Sequence, residues 1–313
     1  MTRAAPALRI SQLGKDYGTR CAVRAIDLEV ERGECFALLG PNGAGKTTTI
    51  SMVVGVVRPS RGRIEICGID LATEPFSAKA KLGFVPQDLA LYEELSALHN
   101  LRYFGALYGL TGATLAARID GALDVVGLRD RAHERVTEYS GGMKRRLNIA
   151  AGLLHHPQVL ILDEPTVGVD PQSRNHIFAT VRALRDAGTT VVYTTHYMEE
   201  VEALCDRVAI LDGGAVIASG TIAELLATHS TTDVVLELRG DPETIAAAVR
   251  AASAHGAVLD GAARLRVIPP VRLAPLIGDI ETTGAVIARI WSRQATLEAA
   301  FLALTGRALR DGP

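Results

Sequence analysis

Apolar residues along this chain follow two rhythms, and the change from one to the other marks its elements. Leu8-Arg9-Ile10 and residues 22–30 alternate apolar with polar, which predicts strands of an antiparallel flap. Cys35-Phe36-Ala37-Leu38-Leu39 is uninterrupted, as a strand covered on both faces should be. Residues 49–54 can open a helix, 63–67 form a short strand, 70–80 a loop and helix, and residues 82–88 end a buried strand in a polar loop. From 91 to 139 the period becomes helical. Leu95, Leu98, Leu101, Tyr103, Phe104, Leu107 and Tyr108 recur at that spacing, followed by Leu115, Ile119, Leu123 and Val126. An inserted helical subdomain over about 91–158 is expected, jointed at Gly109, Gly112 and Gly127. Most of its apolar residues are expected in a core, and its surface is a candidate docking face.

Strand patterns then return. Val159-Leu160-Ile161-Leu162 and residues 189–195 are buried strands on either side of a helix over 172–186. A helix over 198–204, a strand over 207–211, a hairpin turn at Asp212-Gly213-Gly214, a strand over 215–217 and a short helix over 222–226 complete the first domain. The polar run Thr228-His229-Ser230-Thr231-Thr232 reads as a linker. Beyond it the predicted order is strand 234–238, helix 242–254, strands 257–259 and 264–268, helix 271–280, strand 285–291 and helix 296–304. This βαββαβα order fits a small α+β sandwich of ferredoxin-like type, and no catalytic constellation lies within it.

Composition narrows the class without naming it. At 313 residues two domains are expected. The formal net charge of −2 and an aromatic content of 4% argue against a nucleic-acid partner, which needs a basic stripe or a stacking platform. Cys21, Cys35, Cys67 and Cys205 are scattered and read as small buried hydrophobes in a reducing compartment. No charged-then-apolar leader is legible, and nowhere is there a run of about 18 apolar residues. The longest candidate, 149–162, is broken by His155-His156-Pro157-Gln158. The chain is not expected to span a membrane.

The densest chemistry is Gly40-Pro41-Asn42-Gly43-Ala44-Gly45-Lys46-Thr47-Thr48, set between a buried strand and a helix. That context is what a phosphate-binding loop requires. Its glycines let backbone amides turn inward on a polyphosphate, Lys46 reaches the β- and γ-phosphates, and the Thr47 hydroxyl serves Mg²⁺. The helix N-terminus adds its positive end.

Other polar residues fall at strand ends and helix starts. Asp163 and Glu164 follow four apolar residues, which puts two carboxylates at the carboxyl edge of a buried strand, where ligands bind in α/β sheets. Asp163 suits Mg²⁺ held through water, and Glu164 suits a general base for an attacking water. His196 follows the next strand at the same edge. Gln87, in a polar loop after a strand, could reach a metal or water, or simply be solvated. Tyr17 stands in a turn-like setting, where its ring could stack on a purine or pack on the surface. In Tyr139-Ser140-Gly141-Gly142-Met143-Lys144-Arg145-Arg146-Leu147, Ser140 can cap a helix whose first amides stay open. The basic first turn opposes the helix dipole unless an anion arrives there.

In that order, residues 40–48, Gln87, Ser140-Gly141-Gly142, Asp163-Glu164, Asp170 and His196 resemble the ATP-binding subunit of an ABC transporter over the first 225 or so residues. The resemblance implies a P-loop ABC ATPase domain at 1–227, with a mixed α/β sheet core, an antiparallel β flap and the helical insert. The α+β domain then occupies 233–313. It implies ATP hydrolysis in a head-to-tail homodimer docked on a separate transmembrane permease, at the cytoplasmic side of the membrane. Tyr17 would stack on adenine, and Lys46 would hold the phosphates. Thr47, Gln87 and Asp163 would surround Mg²⁺, with Glu164 as base and His196 on the γ-phosphate. Ser140, Gly141 and Gly142 would act in trans on the partner's nucleotide, which would account for the basic helix start, and Asp170 would signal across the interface. The fifth signature position is Met143, where many members carry Gln; the phosphate contacts depend mainly on the serine and the glycine amides. Residues 139–147 resemble the branch serving type-two exporters, including drug-resistance, sodium-efflux and nodulation-factor exporters. Residues 297–307 resemble the C-terminal extension of the drug-resistance branch. Rival classes are a soluble cassette ATPase acting on nucleic acid or ribosomes, and a resistance or regulatory protein without a permease. The first usually has two cassettes or coiled-coil and zinc insertions, which are not seen here.

Overall fold

Strand β1 (Leu8–Tyr17) pairs antiparallel with β2 (Arg20–Val30) in a computed structural model that describes residues 5–229, 233–268, 271–293 and 295–306. After β3 (Cys35–Leu39) and helix α1 (Lys46–Val53), β4 (Arg61–Ile66) and the two-residue β5 (Ile69–Asp70) complete a four-stranded antiparallel sheet of order β2-β1-β4-β5. The flap is longer than the alternation predicts because β1 continues through register shifts to Tyr17.

Helix α2 (Pro75–Lys79) and strand β6 (Leu82–Val85) come next, then α3 (Ala97–Leu107), α4 (Gly112–Val125) and α5 (Gly141–Leu153). The joint glycines do the expected work: Gly109, Gly112 and Gly127 all have positive φ. The expected core of this insert is corrected. Of the seven apolar positions from Leu95 to Tyr108, only Leu101 is fully buried; Leu95, Tyr103, Leu107 and Tyr108 are exposed. Helix α3 buries small and polar residues instead, among them Asn100, whose amide donates to the carbonyls of Tyr92 and Ser96. Ile119, Leu123 and Val126 are buried as expected.

Strand β7 (Val159–Asp163), helix α6 (Pro171–Asp186), strand β8 (Thr190–Thr195), helix α7 (Met198–Leu204) and strands β9 (Arg207–Asp212) and β10 (Ala215–Thr221) finish the first compact unit, which ends at Ile222. Its six-stranded sheet has the order β10-β9-β3-β8-β7-β6. All neighbours are parallel except β9 and β10. Strands β3, β7 and β8 are buried along their whole length, which explains their unbroken apolar runs. Because they are parallel, their carboxyl ends lie on one edge.

The second unit begins at Ala223 within α8 (Ile222–His229), a helix that includes Thr228 and His229 of the polar run read as a linker. Ser230, Thr231 and Thr232 lie outside the described residues. Then come β11 (Asp233–Arg239), α9 (Pro242–Ser253), β12 (Val258–Leu259), β13 (Arg264–Val267), α10 (Leu273–Thr282), β14 (Val286–Arg293) and α11 (Leu297–Thr305). The sheet order β12-β13-β11-β14, antiparallel throughout, is the split arrangement that a ferredoxin-like sandwich requires. Its core joins Leu236 and Leu238 to Ala248, Leu265, Leu276 and Ile280. Of the cysteines expected to be buried, Cys35 and Cys205 are, with sulfurs 3.5 Å apart, whereas Cys67 is half-buried and Cys21 exposed.

Candidate functional site

The glycine-rich loop leaves β3 and turns into α1 at Gly45, whose φ of 102° is left-handed. A Cβ there would stand 2.9 Å from the Ala22 carbonyl oxygen, so both conformation and space demand glycine. Lys46 opens α1 and is only 5% exposed. Its ammonium donates to the carbonyls of Gly40 at 2.7 Å and Pro41 at 3.3 Å, and lies 3.3 Å from Glu164 Oε1. The first amides of α1 have no partner within the helix and face the anion side of the dipole. The loop lines a cavity of about 480 Å³ through residues 41–43 and 45–48. Gln87, Glu164 and His196, from three other loops, line the same cavity. The arrangement can hold a polyphosphate.

Glu164 has a left-handed backbone (φ 45°), uncommon for a residue with a Cβ and worth about 1–3 kcal/mol of strain. Thr194 of β8 holds it there. The Glu164 N–H donates to the Thr194 carbonyl at 3.2 Å and to its Oγ1 at 2.9 Å. The same Thr194 hydroxyl donates to Asp163 Oδ1 at 2.5 Å, so one side chain registers both acids. Burial pushes the Asp163 carboxyl above the usual carboxylate range, and the Thr194 hydroxyl opposes the shift. Asp163 is 4% exposed and does not itself line the cavity. His196 Nδ1 lies 3.4 Å from Glu164 Oε1. Glu164 thus faces the cavity between a lysine and a histidine.

Ser140 caps α5 by accepting from the Met143 amide at 3.3 Å. Ser140, Gly141 and Gly142 do not line the cavity. The basic turn after them is corrected in its role, because its charges are used within the chain. Arg145 is buried and donates to the carbonyls of Pro86 at 3.1 Å and Gln87 at 2.6 Å. Lys144 pairs with Glu93 at 2.8 Å, and Arg146 donates to the Val126 carbonyl at 2.9 Å. Burial lowers the Arg145 guanidinium below its ordinary value, with Asp88 opposing. Arg145 therefore ties the start of α5 to the loop that presents Gln87.

The two glycines of that turn differ. A Cβ on Gly141 would meet open space, whereas one on Gly142 would stand 1.9 Å from Ser173 Oγ and 2.2 Å from Ser173 Cβ. Gly142→Ala is expected to destabilise the chain by about 1–3 kcal/mol through overpacking. Gly141→Ala should melt near wild type, and adding Ser173→Gly to Gly142→Ala should recover most of the loss. Thermal unfolding of the four chains checks this.

Asp170 caps α6 by accepting from the Ser173 amide at 2.9 Å; the Ser173 side chain first, and then that amide, hold its carboxyl below the usual range, and it is exposed and outside the cavity lining. Tyr17 ends β1, is 48% exposed, has the Lys15 ammonium 5.0 Å from its ring centroid, and is likewise outside the lining. Arg20 and Arg24 of β2 do line the cavity. Sequence reasoning passed over them, and no local signal marks them: Arg32 stands nearer the loop in sequence and does not line this cavity.

Comparison with known proteins gives a consistent picture. The profile of the ABC transporter family matches residues 23–167. The linearmycin resistance ATP-binding protein LnrL of Bacillus subtilis is 42% identical over 310 residues, covering 97% of this chain and 100% of that protein. The Nod factor export ATP-binding protein I of Cupriavidus metallidurans is 40% identical over 309 residues, covering 97% and 99%. Among solved structures, cbiO1 from Clostridium perfringens, described as part of the ABC transporter complex cbiONQ, superposes with a TM-score of 0.66 at 29% identity. It covers 72% of this chain and 92% of that one.

Proposed function

Since the chain belongs to the ABC transporter family as one of its ATP-binding subunits, we propose that it hydrolyses ATP to drive export through a separate membrane permease. The observation that carries this reading is the convergence of Lys46, Gln87, Glu164 and His196 on one cavity, with the signature turn of the same chain outside it. A second copy, paired head to tail, supplies Ser140, Gly141 and Gly142 to close over the nucleotide, and Asp170 reports across that interface. Tyr17 stacks on adenine. Hydrolysis is in-line attack of water on the γ-phosphate, assisted by positioning and charge.

The residues present fit Mg²⁺. Thr47, Gln87 and Asp163 offer a hydroxyl, an amide and a carboxylate, all hard oxygen donors. Among the described residues no group of three or more His, Cys, Asp or Glu could hold a metal. Thr47, Gln87 and Asp163 would hold the ion, which when bound would supply neutralisation of phosphate charge.

The division proposed is an ATPase domain through about 227 and an accessory domain from 233. No described helix is long and apolar enough to cross a membrane, and the chain works peripherally, at the cytoplasmic face. The uncovered apolar side chains of Tyr92, Leu95, Tyr103 and Leu107 support docking of the insert on a membrane partner.

Ser140→Ala tests the head-to-tail reading. Losing this cap costs about 0.5–2 kcal/mol, and Ser140 lies outside the chain's own cavity, so ATP affinity of the single chain is expected to hold. ATP-dependent dimer formation, followed by size-exclusion light scattering, is expected to fall. Loss of ATP binding by the monomer would overturn the in-trans role.

A further inference from the structure

Behind the cavity sits a buried acid to which hydrolysis as described gives no task. Glu200, in the first turn of α7, is 1% exposed. Its carboxylate collects three hydroxyl donors: Thr166 Oγ1 on Oε1 at 2.6 Å, Thr195 Oγ1 on Oε2 at 2.8 Å and Tyr193 OH on Oε2 at 3.1 Å. A carboxylate taken out of water at this depth is costly unless each oxygen is bonded, so the donors are held as firmly as the acid. The start of α7 favours negative charge, which explains why the acid is tolerated there.

The placement of the donors gives the cluster its meaning. Thr166 is two residues after Glu164 on the same turn. Thr195 directly precedes His196, and its Oγ1 also accepts from the Tyr197 amide at 3.0 Å, so the backbone on both sides of His196 is pinned. Glu200 therefore bridges, from behind, the two loops whose side chains meet in front at 3.4 Å. Glu164 also sits in a strained conformation, which persists only where its surroundings over-determine it. Thr194 supplies two bonds to that end, and the Thr166–Glu200 bond fastens the turn further on.

We propose that Glu200 is a positioning residue for ATP hydrolysis: it sets the spacing of Glu164 and His196 without touching the nucleotide. This rests on the proposed ATPase function, so wild-type turnover is established first; a wild-type chain that binds no ATP and has no ATPase activity would overturn that reading itself. The full-length chain is then assayed for kcat, KM for ATP, affinity for a non-hydrolysable ATP analogue, and melting temperature.

Glu200→Gln keeps the shape but turns one acceptor into a donor. Thr166→Val deletes one tether, and Thr166→Ser restores its hydroxyl. A misplacement of about 1 Å costs up to about 100-fold in rate. Glu200→Gln and Thr166→Val are therefore expected to lower kcat by about 10–100-fold, with analogue affinity changed less than about twofold. Thr166→Ser should return most of the rate. Tyr193→Phe, which removes a donor from strand rather than loop, should lose less than either. Unchanged kcat in Thr166→Val, or equal losses in Thr166→Val and Thr166→Ser, would overturn the proposal. A parallel fall of analogue affinity and melting temperature with kcat in every variant would reduce Glu200 to a packing residue. Should Glu200→Gln fail to fold, the two Thr166 variants decide.

Discussion

Glu164→Gln is expected to lower ATP turnover by about 10²–10⁴-fold, the range a positioned general base contributes, while Mg-ATP binding persists. The substitution is nearly isosteric, and the anchors of this residue are largely backbone. Its N–H stays bonded to Thr194 through both the carbonyl and the hydroxyl, so φ at 164 should survive the change. The loss is that of the basic oxygen facing the cavity between Lys46 and His196. Removing a negative charge beside the phosphates also favours the loaded state, so the variant should accumulate as an ATP-bound dimer. Steady-state phosphate release, nucleotide retention and size-exclusion light scattering measure the three effects. Undiminished phosphate release would remove Glu164 from the base role.

Lys46→Ala is expected to act one step earlier, on binding. Hydrogen bonds to charged groups contribute about 1.5–3 kcal/mol each, so losing the ammonium should weaken ATP by about 10–100-fold or more at 1.4 kcal/mol per tenfold. The geometry adds a second loss. Lys46 also braces its own loop through the Gly40 and Pro41 carbonyls, which the variant leaves without that donor. Glu164 then faces the cavity without its lysine, so a lower melting temperature is expected beside the weaker affinity. Titration with a fluorescent ATP analogue, with thermal unfolding alongside, separates the two. Unchanged affinity would count against a phosphate-binding role for residues 40–48.

The two variants differ in how visible their residues are in sequence. Lys46 belongs to one contiguous run set between a buried strand and a helix, so the loop can be read letter by letter. Glu164 is legible because an unbroken apolar run of this length reads as a buried strand, and a polar residue directly after such a strand stands at its edge. Ser140 is legible as a cap because capping is satisfied within three residues. Thr194 and Glu200 gave no such signal. A threonine in a β-branched strand and a glutamate in an amphipathic helix are ordinary there, and only their long-range partners give them a role.

The insert shows the same limit from the other side. Its helices and glycine joints follow from local periodicity and from φ. Which apolar positions of α3 are covered depends on the elements that pack against them, and Leu107 at 66% exposure was out of reach of any spacing argument. Arg145 was misread for a related reason: a basic first turn looks aimed at an anion until the carbonyls of Pro86 and Gln87 are brought beneath it.

By itself the sequence determined the phosphate loop, the paired acids, the Ser140 cap and the broad order of strands and helices, because each rests on contacts within a few residues. Tertiary structure decided that β8 lies between β3 and β7, and so that Thr194 grips both acids while His196 meets Glu164. Parallel neighbours are paired through long crossovers, and their lateral order is written in no local pattern.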